Sequence, residues 1–222
     1  MSIIQTPTIT IMIPLYNGLN YLEQCLKSIE SQSYVFWKVI IGINGHETNS
    51  IVYQKAKEFE NSKILVKEYK TIGKPDTMNE MLKDVSTELI CILDVDDWWS
   101  PNKLMEQMKL WNTGLWDVIG TQCNYVLREK INGSPNLPIG YIKDFKTCNP
   151  IINSSVLMKK IDAHWTNNYY GLDDYELWLK MFHTGKKFFN INKKLTFHRI
   201  GHNSAYNTTN HQFVQNLLNQ YY

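Results

Sequence analysis

The sequence predicts an α/β domain with a mostly parallel central sheet, helices on both faces and a smaller second region. Three observations carry this. Apolar runs of strand length, at residues 8–14, 39–43, 63–68 and 88–93, alternate with stretches of helical periodicity. The runs are continuously apolar rather than alternating, as strands buried on both faces are. The fourth run, Leu89-Ile90-Cys91-Ile92-Leu93, breaks off into Asp94-Val95-Asp96-Asp97-Trp98-Trp99, which puts three carboxylates within four residues. Crossovers between parallel strands are right-handed, so strand ends line up along one edge, where ligands of open α/β sheets bind.

Each element follows from its residues. Thr-Ile-Thr-Ile-Met-Ile-Pro at 8–14 is a β-rich run closed by proline. Leu22, Cys25, Leu26 and Ile29 recur at helical spacing and predict an amphipathic helix over 19–32. Residues 39–43 form a second strand ending in the turn Asn44-Gly45, and a polar helix follows near 50–60. A third strand is expected at 63–68, a helix at 76–84 and the fourth strand at 88–93. From Val118 the pattern changes. Residues 124–127 and Tyr141-Ile142, separated by Asn132-Gly133 and the proline-bounded 135–138, suggest a hairpin or a loop-rich excursion. A late helix carries Tyr175, Trp178, Leu179 and Phe182 as its buried stripe, and a terminal helix at 210–222 turns Phe213, Leu217 and Leu218 inward.

The acidic run is where chemistry is expected. Unpaired carboxylates in a buried strand carry a heavy desolvation cost, so this strand tip must emerge into a polar site. If the tip stays extended, alternation puts Asp94 and Asp96 on one side and Asp97 on the other. Two carboxylates on one side suit a hard divalent cation, which takes oxygen ligands and completes its shell with water and substrate phosphates. The plainer reading is a surface loop capping the helix that follows Ser100-Pro101. Because strand ends share an edge, Pro14-Leu15-Tyr16-Asn17 and Asn44-Gly45-His46 lie beside the acidic run.

Bulk properties exclude much. The chain has 222 residues, 43% apolar and 20% charged, which fits one soluble globular domain. A net charge of +2 with no basic block argues against a nucleic-acid partner. No stretch resembles a signal peptide or a membrane span, although peripheral membrane contact stays open. Cys25, Cys91, Cys123 and Cys148 lack metal-ligand spacing and read as reduced residues, so a cytoplasmic location is expected. The glycosylation-type triplets at Asn132, Asn153 and Asn207 carry little weight without a secretion signal. Strand one is followed by a single glycine, and neither Gly-x-Gly-x-x-Gly nor a Walker-type loop occurs. Dinucleotide enzymes and P-loop kinases drop out. Instead Tyr16 offers a ring for a base and Asn17 an amide.

These residues resemble a family. Thr10-Ile11-Met12-Ile13-Pro14-Leu15-Tyr16-Asn17-Gly18, followed by Tyr21-Leu22 and Ser28-Ile29-Glu30-Ser31-Gln32-Ser33-Tyr34, is similar to the opening of family 2 glycosyltransferases of the GT-A fold. Leu93-Asp94-Val95-Asp96-Asp97-Trp98-Trp99-Ser100-Pro101-Asn102-Lys103-Leu104 resembles that family's acidic metal motif and the helix after it. Gly171-Leu172-Asp173-Asp174-Tyr175-Glu176-Leu177-Trp178-Leu179-Lys180 is similar to the Glu-Asp-Tyr-Asp-Leu-Trp-Leu-Arg stretch before the family's late helix. The three motifs come in the expected order and span nearly the whole chain.

The resemblance implies a single GT-A-type domain over 1–222, with a nucleotide-sugar half to about 120 and an acceptor half from about 121. Pro14, Tyr16 and Asn17 fall where the family meets the donor's nucleoside. Asn44 replaces an aspartate that reads the base, a departure that leaves the base open, since an amide both donates and accepts. Lys74 matches a lysine that meets the donor in some members, whereas others place an arginine where Met78 stands. Asp94 would face the ribose or sugar. Asp96 would hold the metal, Mn²⁺ or Mg²⁺, with Asp97 able to replace either. Asp173, with Glu176 three residues on, has capping-box spacing. That leaves Asp174 as general base, with Asp173 the lesser candidate. Trp165, Tyr169, Tyr170 and Trp178 could stack on sugar rings. Thr196–Ser204 resembles an Arg-x-His-type segment closing over the donor, with Arg199 on the diphosphate and His202, or its rival His198, on the metal.

The function this implies is inverting, metal-dependent transfer of a sugar from a nucleoside-diphosphate sugar, a UDP-sugar first, to a hydroxyl of a glycan or glycoconjugate acceptor. The alternative is a catalytically degenerate module that binds a nucleotide sugar or glycan. A nucleotidyltransferase is a third reading, without a glycine-rich phosphate loop to support it. Oligomeric state, donor sugar and acceptor are left open by the sequence.

Overall fold

The computed structural model describes residues 7–169, 171–201 and 211–222. The first half is a run of strand–helix units: β1 (Ile9–Leu15), α1 (Leu22–Glu30), β2 (Trp37–Asn44), α2 (Ile51–Lys57), β3 (Ile64–Tyr69), α3 (Lys74–Asp84) and β4 (Leu89–Ile92). After the acidic loop come β5 (Trp98–Trp99) and α4 (Lys103–Trp111), then β6 (Val118–Leu127), β7 (Lys130–Ile131) and β8 (Gly140–Ile142). The chain continues with β9 (Leu157–Lys159), α5 (Asp173–His183), β10 (Phe188–Arg199) and α6 (His211–Leu218).

Among the described residues the strands join one sheet in the order β3-β2-β1-β4-β9-β6-β10-β5. The β3-β2-β1-β4 half is parallel throughout, and β6 with β10 is parallel again. Between them β9 runs antiparallel to both neighbours. Side-chain alternation sorts the parallel strands onto two faces. Ile11, Ile13, Val39, Ile41, Cys91 and Leu93 pack with α1 and α4 residues such as Leu22, Leu26 and Leu104. Met12, Ile40, Ile90 and Ile92 pack with Met78 and Met81 of α3 and Trp178 of α5. Each fully buried aliphatic side chain contributes about 1.5–3 kcal/mol, so both layers hold the sheet from its two sides.

Sheet order changes direction at β1, which lies between β2 and β4. The carboxyl ends of β1 and β4 therefore open a crevice, with Leu93 N–H still bonded to the Met12 carbonyl at 3.1 Å. Backbone approaches are tight here. Gly18 has φ +96°, and a Cβ there would sit 2.9 Å from Val95 of the acidic loop. Gly45 has φ +69°, and its Cβ would meet the Tyr16 ring at 2.9 Å. Only glycine suits both positions.

Several expectations change. β6 turns through Arg128-Glu129 into β7, whereas Tyr141 and Ile142 pair antiparallel with Phe189 and Phe188 of β10. The proline-bounded stretch is thus the loop-rich excursion, not a hairpin connection. β5 was not anticipated, because two residues carry no periodicity. Residues 196–199 continue β10 between β6 and β5 rather than forming a loop. Phe213 is 42% exposed, and Leu217 alone of the expected terminal-helix trio is fully buried. Trp165 and Trp178 are core residues at 2% and 0% exposure, so neither stacks on a sugar. Tyr170 lies outside the described residues.

Candidate active site

The acidic run leaves the sheet at Ile92 and folds into a turn, with Asp97 N–H on the Asp94 carbonyl at 3.0 Å. Strand alternation consequently does not govern its side chains, and the three carboxylates meet three different environments. Asp94 lies in a polar cradle. Its Oδ1 accepts from Lys74 Nζ at 2.6 Å, and Asn153 Nδ2 lies 3.4 and 3.2 Å from its two oxygens. Ser154 Oγ lies 3.3 Å from its Oδ2 and also accepts the Asp94 N–H at 3.1 Å. Burial works to raise the Asp94 pKa, but the charge and hydrogen bond of Lys74 outweigh it and hold this carboxyl below its usual range.

Asp97 is 1% exposed and faces inward. Its Oδ2 pairs with His198 Nδ1 at 2.8 Å, and its Oδ1 accepts the Arg199 N–H at 2.8 Å. Burial alone would lower the His198 pKa, yet the Asp97 carboxylate pushes it up to about 9, so the imidazole holds its second proton at neutral pH. Asp97 ties the acidic loop to β10.

Asp96 differs from both. Among the described residues its carboxylate takes no hydrogen bond from another residue's side chain. Burial, followed by the like charges of Asp97 and Asp94, raises its pKa to about 6. A carboxylate with no hydrogen-bonded cation among the described residues, beside two others, suits a divalent cation. Its remaining ligands would come from water and substrate phosphates, as Mg²⁺-type sites arrange. Among the described residues no three Asp, Glu, His or Cys side chains make a closed metal site. His202 lies outside the described residues.

Lys74 opens α3 directly after Gly73, whose φ of 93° turns the chain into the helix. Burial lowers its pKa, but Asp94 first, then Asp173 and Asp174, hold it above the ordinary lysine value. Those last two belong to the other half of the chain, so Lys74 marks where the two halves converge. Met78, one turn further along α3, is fully buried in the core, so the cation at this edge comes from Lys74.

Asp173 and Asp174 are the first two residues of α5, and the N-cap is Leu172, with no side-chain cap. The expected capping box does not form: Asp173 lies inside the helix, and Glu176 instead accepts from Asn168 Nδ2 at 2.7 Å. Asp174 Oδ1 accepts the Tyr175 N–H at 2.7 Å and Oδ2 accepts from Asn149 Nδ2 at 3.0 Å. Burial and then the neighbouring Asp173 push the Asp174 pKa up to about 7, against the pull of Lys74. A carboxyl with that value exchanges protons near neutral pH.

Along the same edge, Tyr16 is 53% exposed, and its ring lies 5.2 Å from the His46 ring at a tilt of 34°. His46 Nε2 also reaches the Tyr16 carbonyl at 2.6 Å. Asn44 ends β2 at 5% exposure, Pro14 lies within β1, and Asn17 is exposed in the bend after it. Arg199 is held by the protein. It donates from Nε to the Asp96 carbonyl at 3.0 Å and from Nη2 to Gln24 Oε1 at 3.0 Å, and pairs with Glu129. Its guanidinium lies 4.2 Å from the Tyr21 ring centroid and 5.0 Å from that of Trp98.

The sequence reading missed Asn153 and Ser154, which it met only as a glycosylation-type triplet. They are 8% and 0% exposed, so Asn153 is no glycan acceptor. Asn149 was not singled out either. A buried polar cluster preceding a strand was the available signal.

The α/β layers and the carboxylates gathered where the strands end put the candidate site where open α/β sheets bind ligands, and the likeness to known proteins narrows the class. Residues 10–211 match the model of Glycosyl transferase family 2, and the chain belongs to that family. It is 27% identical over 177 residues to the Escherichia coli UDP-Glc:alpha-D-GlcNAc-diphosphoundecaprenol beta-1,3-glucosyltransferase WfgD, covering 78% of this chain and 69% of that one. A second E. coli enzyme of the same description, WfaP, is 25% identical over 197 residues, covering 86% of this chain and 77% of that one. Among solved structures, Staphylococcus aureus TarS 1-349 in complex with UDP-GlcNAc superposes with a TM-score of 0.72 at 14% identity, over 91% of this chain and 61% of that one. The mannosyltransferase PcManGT from Pyrobaculum calidifontis, in complex with GDP-Man and Mn²⁺, gives 0.67 at 15% identity, over 91% of this chain and 59% of that one. The fold is therefore GT-A-like, and the chain spans about three fifths of these solved proteins.

Proposed function

We propose that this chain transfers a sugar, with inversion, from a nucleoside-diphosphate sugar to a hydroxyl of a glycan or glycoconjugate, and that the donor is a UDP-sugar. The observation that carries the reading is Lys74, which bonds Asp94 in the first half of the chain and feels Asp173 and Asp174 in the second. That juxtaposition supports a nucleotide-sugar half to about residue 120 and an acceptor half beyond it. The E. coli relatives, named for UDP-Glc as donor, and TarS with UDP-GlcNAc support the choice of donor.

In this mechanism Tyr16, with Pro14, Asn17 and Asn44 around it, receives the nucleoside, and Lys74 offers its ammonium to the diphosphate. Asp96 would hold Mn²⁺ or Mg²⁺, which supplies charge neutralisation for the leaving diphosphate. Asp174 takes the proton of the acceptor hydroxyl as that oxygen bonds to the anomeric carbon. The bond from that carbon to the phosphate oxygen breaks on the opposite face, and its electron pair leaves with the nucleoside diphosphate. General-base assistance of this kind is worth about 10²–10⁴-fold. Asp97 shapes the loop rather than touching the donor, since both its oxygens are already engaged, while Arg199 is held against the same loop with one N–H left on each terminal nitrogen for the diphosphate.

A degenerate binding module is the rival. Met78 lends it no support, because that position points into the core while Lys74 provides the cation. A thermal-shift panel of nucleotide sugars with and without Mn²⁺, followed by product analysis, tests the proposal. Stabilisation by UDP-sugars and release of UDP are expected, and no response to any nucleotide sugar would sink it.

A further inference from the structure

We infer that Asn149 is a positioning residue for Asp174: its side-chain amide holds the carboxylate in its ionised form and aims one oxygen at the acceptor hydroxyl. The inference rests on Asp174 being the base.

The amide orientation is set by two contacts of opposite sense. Asn149 Oδ1 accepts the Ile151 N–H at 3.3 Å, closing a turn over Pro150, and this leaves Nδ2 as the donor to Asp174 Oδ2 at 3.0 Å. The turn is itself anchored. The Pro150 carbonyl accepts from Asn190 Nδ2 at 2.6 Å, and the same Nδ2 lies 3.0 Å from the Pro138 carbonyl. Asn190 is fully buried in β10, so the sheet fixes the turn that carries Asn149.

The carboxylate is held at both oxygens. Oδ1 takes the Tyr175 N–H at 2.7 Å, and Oδ2 takes the Asn149 amide. The charged groups facing it are Asp173 on its own helix, Lys74 at the start of α3 and Asp94 after β4. The two carboxylates resist ionisation of Asp174, and Lys74 is shared with Asp94. A neutral donor at Oδ2 favours the ionised form without a permanent positive charge that would depress the basicity of the carboxylate. It also leaves the second lone pair of Oδ2 in a fixed direction.

The test is carbon-13 NMR titration of the ligand-free protein labelled at aspartate Cγ, with the Asp174 signal assigned by its loss in Asp174→Asn. In Asn149→Ala the Asp174 midpoint should rise by about half to one unit, because a donor to the charged form is gone. Asn149→Asp keeps the acceptor for Ile151 N–H, preserving the turn, and should raise the midpoint further through like charge. An unchanged midpoint in Asn149→Ala, or in Asn149→Asp should the alanine variant not fold, overturns the inference. A turnover assay with UDP-glucose separates this from the base assignment: if Asp174→Asn retains full turnover, the base reading fails, whatever the midpoints do. If Asp174→Asn is dead, Asn149→Ala should lose about tenfold in kcat at unchanged KM, with its acidic limb displaced upward.

Discussion

Lys74 Nζ lies 2.6 Å from Asp94 Oδ1, joining the start of α3 to the tip of β4. The pair orients an ammonium that is not consumed by it, since Lys74 keeps two further protons for an incoming anion. Lys74→Met should weaken UDP binding by roughly 10–100-fold, the range set by losing a charged hydrogen bond of about 1.5–3 kcal/mol. Isothermal calorimetry with UDP and Mn²⁺ checks this, and unchanged affinity would remove Lys74 from the donor site.

Asp174→Asn should lower transfer by about 10²–10⁴-fold and leave UDP affinity intact. In the wild type, turnover should fall about tenfold per pH unit below the Asp174 pKa of about 7, where the base is protonated. The stability sign is opposite to that of a paired carboxylate. Between the ordinary aspartate value of 3.8 and about 7 the native state holds a proton that the unfolded chain has released. Stability therefore declines as pH rises through that window, and Asp174→Asn should melt above the wild type at pH 8. A lower Tm for the variant at that pH would contradict the burial argument.

Asp96 and Asp97 should separate cleanly. Asp96→Asn should fold at least as well as the wild type, because it removes a like charge, yet lose the Mn²⁺-dependent part of UDP stabilisation. The cost in transfer should be several kcal/mol, about 100-fold or more. Asp97→Ala should instead depress the ligand-free Tm, since it strips His198 and the Arg199 amide of their buried acceptor. Thermal melts with and without Mn²⁺ and UDP read both effects. The reverse pattern would exchange the two roles.

Lys103 offers a control away from the chemistry. It is fully buried, bonded to Gln107 Oε1 at 2.8 Å and 3.8 Å from the Trp99 ring centroid. Burial lowers its pKa from 10.5 to about 8. Between those values the unfolded chain holds the proton that the native state has lost, so wild-type stability gains with rising pH. The Tm difference between Lys103→Met and the wild type should thus shift in the wild type's favour from pH 8 to pH 10. A pH-independent difference would show that Lys103 stays charged.

Much of the architecture is written locally. The continuous apolar runs at β1, β2 and β4 announce strands buried on both faces, and Ser50, accepting from Tyr53 N–H at 3.3 Å, caps α2 as a short-range rule requires. The late helix was legible from its stripe. Its N-terminus was not, because capping-box spacing at Asp173 and Glu176 is satisfied by several backbone paths, and Leu172 takes the cap. β5 and the end of β10 stayed hidden for another reason. Thr196 and Phe197 pair with Trp99 and Trp98 across about a hundred residues, and no window of sequence contains both partners.

The acidic run Asp94-Val95-Asp96-Asp97 was visible as a site from composition alone, since three carboxylates at a strand tip need a polar purpose. Their division of labour was not. It depends on Lys74 and Asn153 reaching Asp94, and on His198 and the Arg199 amide reaching Asp97, each from a distant element. Asp96, left among the described residues without such a hydrogen-bonded partner, stands apart only when the chain has folded. Residue type and period are local properties and survive in one dimension; which buried charge is neutralised by which partner is a property of packing, and it exists only in three.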